Sequence, residues 1–224
     1  MATATDTTQL NELKEGPRIR LDGISWETYK RLADEVGERP SLRLTYSDGA
    51  LEIMSISPEH DWLKGFIGRM IEMLCWELEI RSRSNGSFTH RRDDLQKALE
   101  PDECFWVQNA PVVGLKMDLD LRHDPPPDLA VEIDITSSSV SREGIYAALG
   151  TPELWQCDGR RIDCRELRPN GKYESRETSL AFPGLKVAEL IQFLDLNDPR
   201  DELTRLKDFV AWLRTQNLNP EGTP

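Results

Sequence analysis

The segment Leu129-Ala130-Val131-Glu132-Ile133-Asp134-Ile135 carries the most chemical information in the chain. In an extended strand, successive side chains point to opposite faces. Leu129, Val131, Ile133 and Ile135 then share a wholly apolar face, and Asp128, Ala130, Glu132 and Asp134 share the other. The flanking apolar runs predict a central strand with both faces at least partly covered. Three carboxylates in a row on a covered face repel one another, and each buried charge needs a partner. Arginine, lysine, a proton or a metal ion can supply it. Oxygen-rich sites of this type suit Mg2+, Mn2+ or Ca2+. Asp102, in the sequence EPDECFWVQ, and Glu59, at the start of a helical pattern, can bring further carboxylates to the same place. Spacing alone leaves a plainer reading open for each. The strand can be an edge strand with a solvated acidic face, Asp102 a turn residue after proline, and Glu59 a first-turn helix charge.

The elements that must position these residues are legible in outline. SWETYKRLADEVG predicts a short helix capped by Ser25, with Trp26, Tyr29 and Leu32 on one side. LRLTY and ALEIMS alternate around Ser47-Asp48-Gly49, which predicts a β-hairpin. The clearest helix is capped by Ser57, has Pro58 at its first position, and repeats Leu63, Ile67, Met70, Ile71, Leu74 and Leu78 at intervals of three and four. Glu59, four residues before Leu63, falls on its core-facing edge, whereas His60 is expected to be exposed. IRSRSNGSFTHRRDDL reads as a strand followed by a loop. SSSVSREGIYAALG predicts a helix ending at Gly150. PELWQCDG and RIDCRELR predict two strands joined at Asp158-Gly159, KYESRETSLAF a third short strand, and LKVAELIQFL and DELTRLKDFVAWLRTQ two amphipathic helices. This order fits a mixed sheet flanked by helices, not a regular βαβ series.

Bulk properties narrow the classes. With 224 residues the chain is expected to form one domain over 18–216, preceded by a mobile segment 1–17 and followed by a frayed end 217–224. The start has no apolar core of a secretory signal, and no stretch is long and apolar enough to span a membrane. The four cysteines form no CxxC pair, which predicts reduced thiols in a cytoplasmic protein. The net charge of −12 argues against broad non-specific binding to nucleic acid but leaves room for a local basic groove. His60, His90 and His123 lack zinc-site spacing, and there is no Walker loop, dinucleotide fingerprint or nucleophile elbow.

Four pieces, GALEIMSISPEH, EPDECFWV, PPDLAVEIDITSSS and IYAALGTPELWQCDG, occur in this order between Leu42 and Leu194. Together they resemble the Uma-type family of restriction-endonuclease-like proteins, a branch of the PD-(D/E)XK nuclease superfamily. The runs Asp-Ile-Thr-Ser-Ser-Ser and Ile-Tyr-Ala-Ala-Leu-Gly are similar to a subgroup abundant in cyanobacteria. The resemblance implies an α/β, restriction-endonuclease-like fold with a mixed central sheet flanked by helices, and a metal-dependent phosphodiesterase core. It implies Asp102 as the first acid, Glu132 as the second and Glu59 as a helix glutamate. The superfamily's lysine, two residues after the second acid, is replaced here by Asp134. In many Uma-type sequences a lysine stands instead four residues before the tyrosine of the following helix, and here that position holds Arg142. Arginine keeps the charge but does not readily lose a proton to act as a base.

The expectation is hydrolysis of DNA phosphodiester bonds with Mg2+ (or Mn2+). Asp102, Glu132 and Glu59 are the expected metal ligands. Asp134 stands beside them as an alternative to Glu59, and Arg142 is expected to stabilise the scissile phosphate or orient Glu132. The basic cluster Arg81, Arg83, His90, Arg91 and Arg92 is the expected contact with the DNA backbone; its plainer reading is a solvated loop. The rival is a catalytically inactive nuclease-fold protein that binds nucleic acid or a partner, or that forms a homodimer. In a homodimer the terminal helix would use Leu203, Leu206, Phe209, Val210 and Leu213, although packing on its own sheet is the stronger expectation.

Overall fold

The computed structural model describes residues 16–37, 39, 41–86, 88–133, 140–216 and 218. The expectations placed on Asp134 and Ile135, on the segment before Gly16 and on most of the C-terminal end fall outside these residues.

Two sheets and five α-helices make up the described chain. The first sheet is wholly antiparallel. It runs β1 (Arg18–Leu21), β3 (Ala50–Ser55), β2 (Leu42–Ser47), β6 (Lys97–Leu99), β5 (His90–Arg92). The β2–β3 hairpin turns at Asp48-Gly49, both with positive φ, as a tight hairpin requires. Helix α1 (Trp26–Val36) is capped by Ser25 and packs Trp26 and Tyr29 on Leu44, Tyr46, Leu51 and Ala98. By alternation, Arg43, Thr45 and Glu52 lie on the opposite face of this sheet, where all three are buried.

The second sheet is the expected mixed sheet flanked by helices. Its order is β11 (Tyr173–Arg176), β10 (Ile162–Leu167), β9 (Glu153–Cys157), β8 (Leu129–Ile133), β7 (Glu103–Trp106), β4 (Arg83–Ser84). Among its pairs β8 and β9 run parallel, joined by a crossover that includes α4 (Arg142–Leu149). On one face, Leu129, Val131, Ile133, Trp155 and Cys157 pack against α2 (Pro58–Glu77), α5 (Glu202–Leu213) and a 3₁₀ helix (Val187–Phe193). Each fully buried Leu, Ile or Phe of α2 contributes about 1.5–3 kcal/mol. On the other face, Ala130 and Leu154 meet Ile145, Tyr146 and Leu149 of α4, together with Leu99 of the first sheet.

LKVAELIQFL forms the 3₁₀ helix instead of an α-helix. Its buried residues Val187, Leu190 and Phe193 recur every third position, which is the period of a 3₁₀ turn. The connection after β7 contains one short helix, α3 (Ala110–Val113). Helix α5 packs Phe209 and Leu213 into its own core and leaves Leu203 62% exposed. All four cysteines are free and buried. Among the described residues no helix is long and apolar enough to cross a membrane.

Candidate active site

Strand β8 is central, with β7 on one side and β9 on the other. A solvated edge strand is therefore ruled out for Glu132, which is only 3% exposed. Asp102 lies one position before β7, whose Glu103 stands opposite Val131. Continued by one step, this antiparallel register sets Asp102 opposite Glu132, and opposed residues share a face. Asp102 is 1% exposed.

Each acid has its own set of partners. Asp102 Oδ2 accepts from the backbone N–H of Ile133 at 2.8 Å and lies 3.2 Å from His60 Nε2. Arg43 Nε is 3.9 Å from Asp102 Oδ1, and that oxygen is buried without a hydrogen bond. Burial by itself raises the Asp102 carboxyl, but the His60 ring and the Arg142 charge outweigh it and hold the group below the usual carboxylate range. Glu132 is gripped from α4. Arg142 approaches it with Nε 2.7 Å from Oε2 and with Nη2 donating to Oε1 at 2.8 Å. One helical turn on, the Tyr146 hydroxyl also donates to Oε1. Residues four apart on a helix face the same way, so α4 presents both donors together. Burial pushes Glu132 up to about 7, against the opposing pull of Arg142.

Arg142 is itself held. It donates to the carbonyl of Glu100 at 2.7 Å and to Thr45 Oγ1 at 3.2 Å, so one guanidinium joins α4, β8, β2 and the segment before Asp102. Ser141 caps the helix that carries it, and Gly150 ends that helix in the left-handed conformation.

Other expected residues are placed differently. Asp128 does not join the pair. It accepts from the backbone N–H groups of Val107 and Asn109 and from the Asn109 side chain, and so shapes the turn after β7. Glu59 is half-buried at the start of α2. Its neighbour His60 is the residue that meets Asp102, which corrects the expectation that His60 is exposed: it is 3% exposed. The signal was present, since His60 stands three residues before Leu63 and seven before Ile67 on the apolar stripe. Arg43 and Tyr146 are further site residues that the reading of the sequence did not single out.

The basic cluster disperses. His90 is fully buried beside Phe88 and Trp106, and burial lowers it to about 4, so it is neutral and cannot meet a DNA backbone. Alternation on β5 turns His90 inward and Arg91 outward. Arg83 lies over the Trp106 ring and donates to Gly114 O. Arg92 is paired with Asp94. Arg91 and Arg81 remain exposed.

Among the described residues no group of three His, Cys, Asp or Glu side chains is arranged to hold a metal. Two ligands are nevertheless compatible with Mg2+, which keeps several waters and is commonly held by one or two carboxylates together with substrate phosphate. The orphaned Asp102 Oδ1 fits one ligand position. Glu132 fits a second, with its oxygens shared with Arg142 and Tyr146.

None of the curated proteins matches the chain. A solved structure described as a "putative nuclease belonging to DUF820" from Anabaena variabilis is similar to it, with 15% identity, a TM-score of 0.43, and coverage of 85% of this chain and 99% of that one. The family model Uma2, described as "Putative restriction endonuclease", matches residues 26–197. With most of its length matched, including both acids and the arginine beside them, the chain belongs to the Uma2 family.

Proposed function

We propose that this protein hydrolyses phosphodiester bonds in DNA with a divalent cation, Mg2+ or Mn2+, held by Asp102 and Glu132. The observation that carries the reading is the pair itself: two buried acids, one on β8 and one just before the adjoining β7, set opposite each other by the register, with Asp102 Oδ1 free of hydrogen bonds. Membership of a family described as restriction endonucleases supports the substrate class. When bound, the cation lowers the pKa of a water and offsets charge on the phosphorane-like transition state. The chain's own residues do the rest. Ile133 N–H and His60 fix Asp102 Oδ2 and leave Oδ1 as the ligand. Arg142 and Tyr146 orient Glu132, and Arg142 is a fixed positive charge beside the place a phosphate would occupy. Glu59 and Asp134 are proposed as supplementary acids from α2 and from beyond β8.

Cleavage of plasmid DNA, both as the supercoiled duplex and as a single-stranded circle, with Mg2+ or Mn2+ tests this, with Glu132→Ala alongside. Nicking by the wild type and none by the variant is the expected result. Equal nicking by both would mark a contaminant and end the claim.

A second reading, an inactive binding protein, is favoured by one observation: both Glu132 oxygens are already engaged by Arg142 and Tyr146. Calorimetry separates the two. Mn2+ uptake that Glu132→Ala abolishes supports the enzyme, and absence of uptake by the wild type supports the binding module.

A further inference from the structure

A groove of about 940 Å³ reaches Arg43, one side chain short of the acid pair, and neither acid lines it. Its lining includes Arg39, Arg43, Lys64, Phe88, Arg91 and Arg122. Arg43 connects it to the site, because its Nε lies 3.9 Å from Asp102 Oδ1. Lys64 belongs to the same end. His60, Lys64 and Gly68 are spaced four apart on α2 and form one stripe. His60 meets Asp102, and a β-carbon on Gly68 would stand 3.4 Å from the Glu103 carboxyl carbon. Lys64, between them, therefore projects at the Asp102–Glu103 step, where its charge acts on Glu103.

The groove's charge decides what it can take. Five basic and four acidic side chains line it. Arg91 is 3.4 Å from Asp93, and Arg122 is 2.6 Å from Asp120. In a chain of net charge −12, such a nearly balanced groove is poorly matched to a duplex, whose dense charge calls for a broad basic face. A single strand carries less charge per length, bends into a concave site, and binds through base stacking on aromatic faces as well as through phosphate contacts. Half-buried Phe88 offers such a face within the groove. Exposed ion pairs such as Arg91–Asp93 contribute little, so a phosphate can replace the carboxylate at small cost. The volume suits a short segment of chain, since it falls in the range of ordinary ligand pockets.

We propose that this groove binds a single-stranded nucleic-acid segment, with Lys64 and Arg91 on its phosphates and Phe88 stacked on a base, and that it delivers the strand to Asp102 and Glu132. The delivery half rests on the nuclease reading; the binding half does not.

Fluorescence anisotropy tests the binding half, using the full chain in metal-free buffer with a short labelled oligothymidylate and, as competitor, an oligothymidylate–oligoadenylate duplex of equal length. The wild type is expected to hold the single strand about tenfold tighter than the duplex. Lys64→Gln should reduce the salt slope by about 0.7, the share of one phosphate contact. Phe88→Leu, which keeps the apolar packing, should weaken binding about fivefold through lost stacking. Lys172→Gln, on the exposed β10–β11 turn, is the control and should change nothing. Equal or tighter binding of the duplex, no binding of the single strand, or wild-type behaviour of both groove variants would overturn the proposal. Its failure is separable from that of the nuclease reading. Glu132-dependent nicking with wild-type binding by both Lys64→Gln and Phe88→Leu rejects the groove alone, and groove-dependent binding without nicking rejects the chemistry alone.

Discussion

The backbone N–H of Ile133 donates to Asp102 Oδ2 at 2.8 Å, so one acid is hydrogen-bonded to the residue next to the other. Asp102 thereby does two things: it fixes the end of β8 and it leaves Oδ1 without a hydrogen bond, 3.9 Å from Arg43 Nε. The substitutions Asp102→Asn and Asp102→Ala should separate these roles. Asparagine retains an acceptor for Ile133 N–H and should cost about 1 kcal/mol. Alanine removes that acceptor as well, leaves the buried Ile133 N–H unsatisfied, and should cost about 1–3 kcal/mol more, the penalty of an unmet buried donor. Both should lose Mn2+ uptake and nicking. Urea unfolding with calorimetry on the same samples checks the split.

Arg142 and Glu132 should be strongly coupled. Arg142→Met removes the guanidinium from a carboxylate that is only 3% exposed, and a loss of about 3–5 kcal/mol is expected. In Glu132→Gln/Arg142→Met neither charge is left alone, and most of that loss should return. A double-mutant cycle by denaturant unfolding should give a coupling of about 3 kcal/mol or more, the upper end for residues in contact.

His90 predicts an acid limb of stability unrelated to the acid pair. Its folded value of about 4 lies below the ordinary 6.5. The unfolded chain therefore binds the extra proton first as pH falls. Stability from this group is complete above about pH 6.5 and declines toward pH 4, by about 3 kcal/mol in all. His90→Leu should flatten that part of the pH–stability curve, as read by thermal or urea unfolding. An unchanged slope would mean the ring is accessible to protons in the folded protein.

Glu153 offers a control for purely structural damage. Its Oε2 accepts from the N–H groups of Leu180 and Ala181, both at 2.7 Å, and its Oε1 from Trp155 at 2.5 Å. Glu153→Ala should cost about 3 kcal/mol or more by orphaning buried donors, while Mn2+ uptake per folded molecule stays at the wild-type level. Loss of uptake at temperatures where the variant is folded would show that the two regions are linked.

The parts of the fold that were legible in the sequence are those set by local rules. Asp48-Gly49, Ser57-Pro58 and Gly150 each mark a boundary by the backbone conformation they favour, and the alternation in Leu129–Ile133 identifies its core face. The hidden parts depend on how elements meet. The apolar stripe of α2 turns His60 inward, but only the packing of that helix beside the segment before β7 decides that the ring meets Asp102. Arg43 and Thr45 alternate with apolar residues on β2, a pattern identical whether the polar face meets water or, as here, the buried Arg142 cluster. His90 read as part of a basic run because neighbouring arginines dominate the composition, whereas on a strand it points the other way from Arg91.

Arg43, His60, Asp102, Glu132, Arg142 and Tyr146 come from widely separated parts of the chain, and the parallel β8–β9 pair closes behind them. Pairings of such long range form slowly, because the intervening loops must be closed before contacts reward it. A nascent chain that has emerged only through β7 holds Asp102 and His60 but neither the opposing acid nor its guanidinium clamp. The pocket thus cannot mature until α4 and β9 have been made, and a nascent chain or a proteolytic fragment ending before α4 lacks an assembled centre.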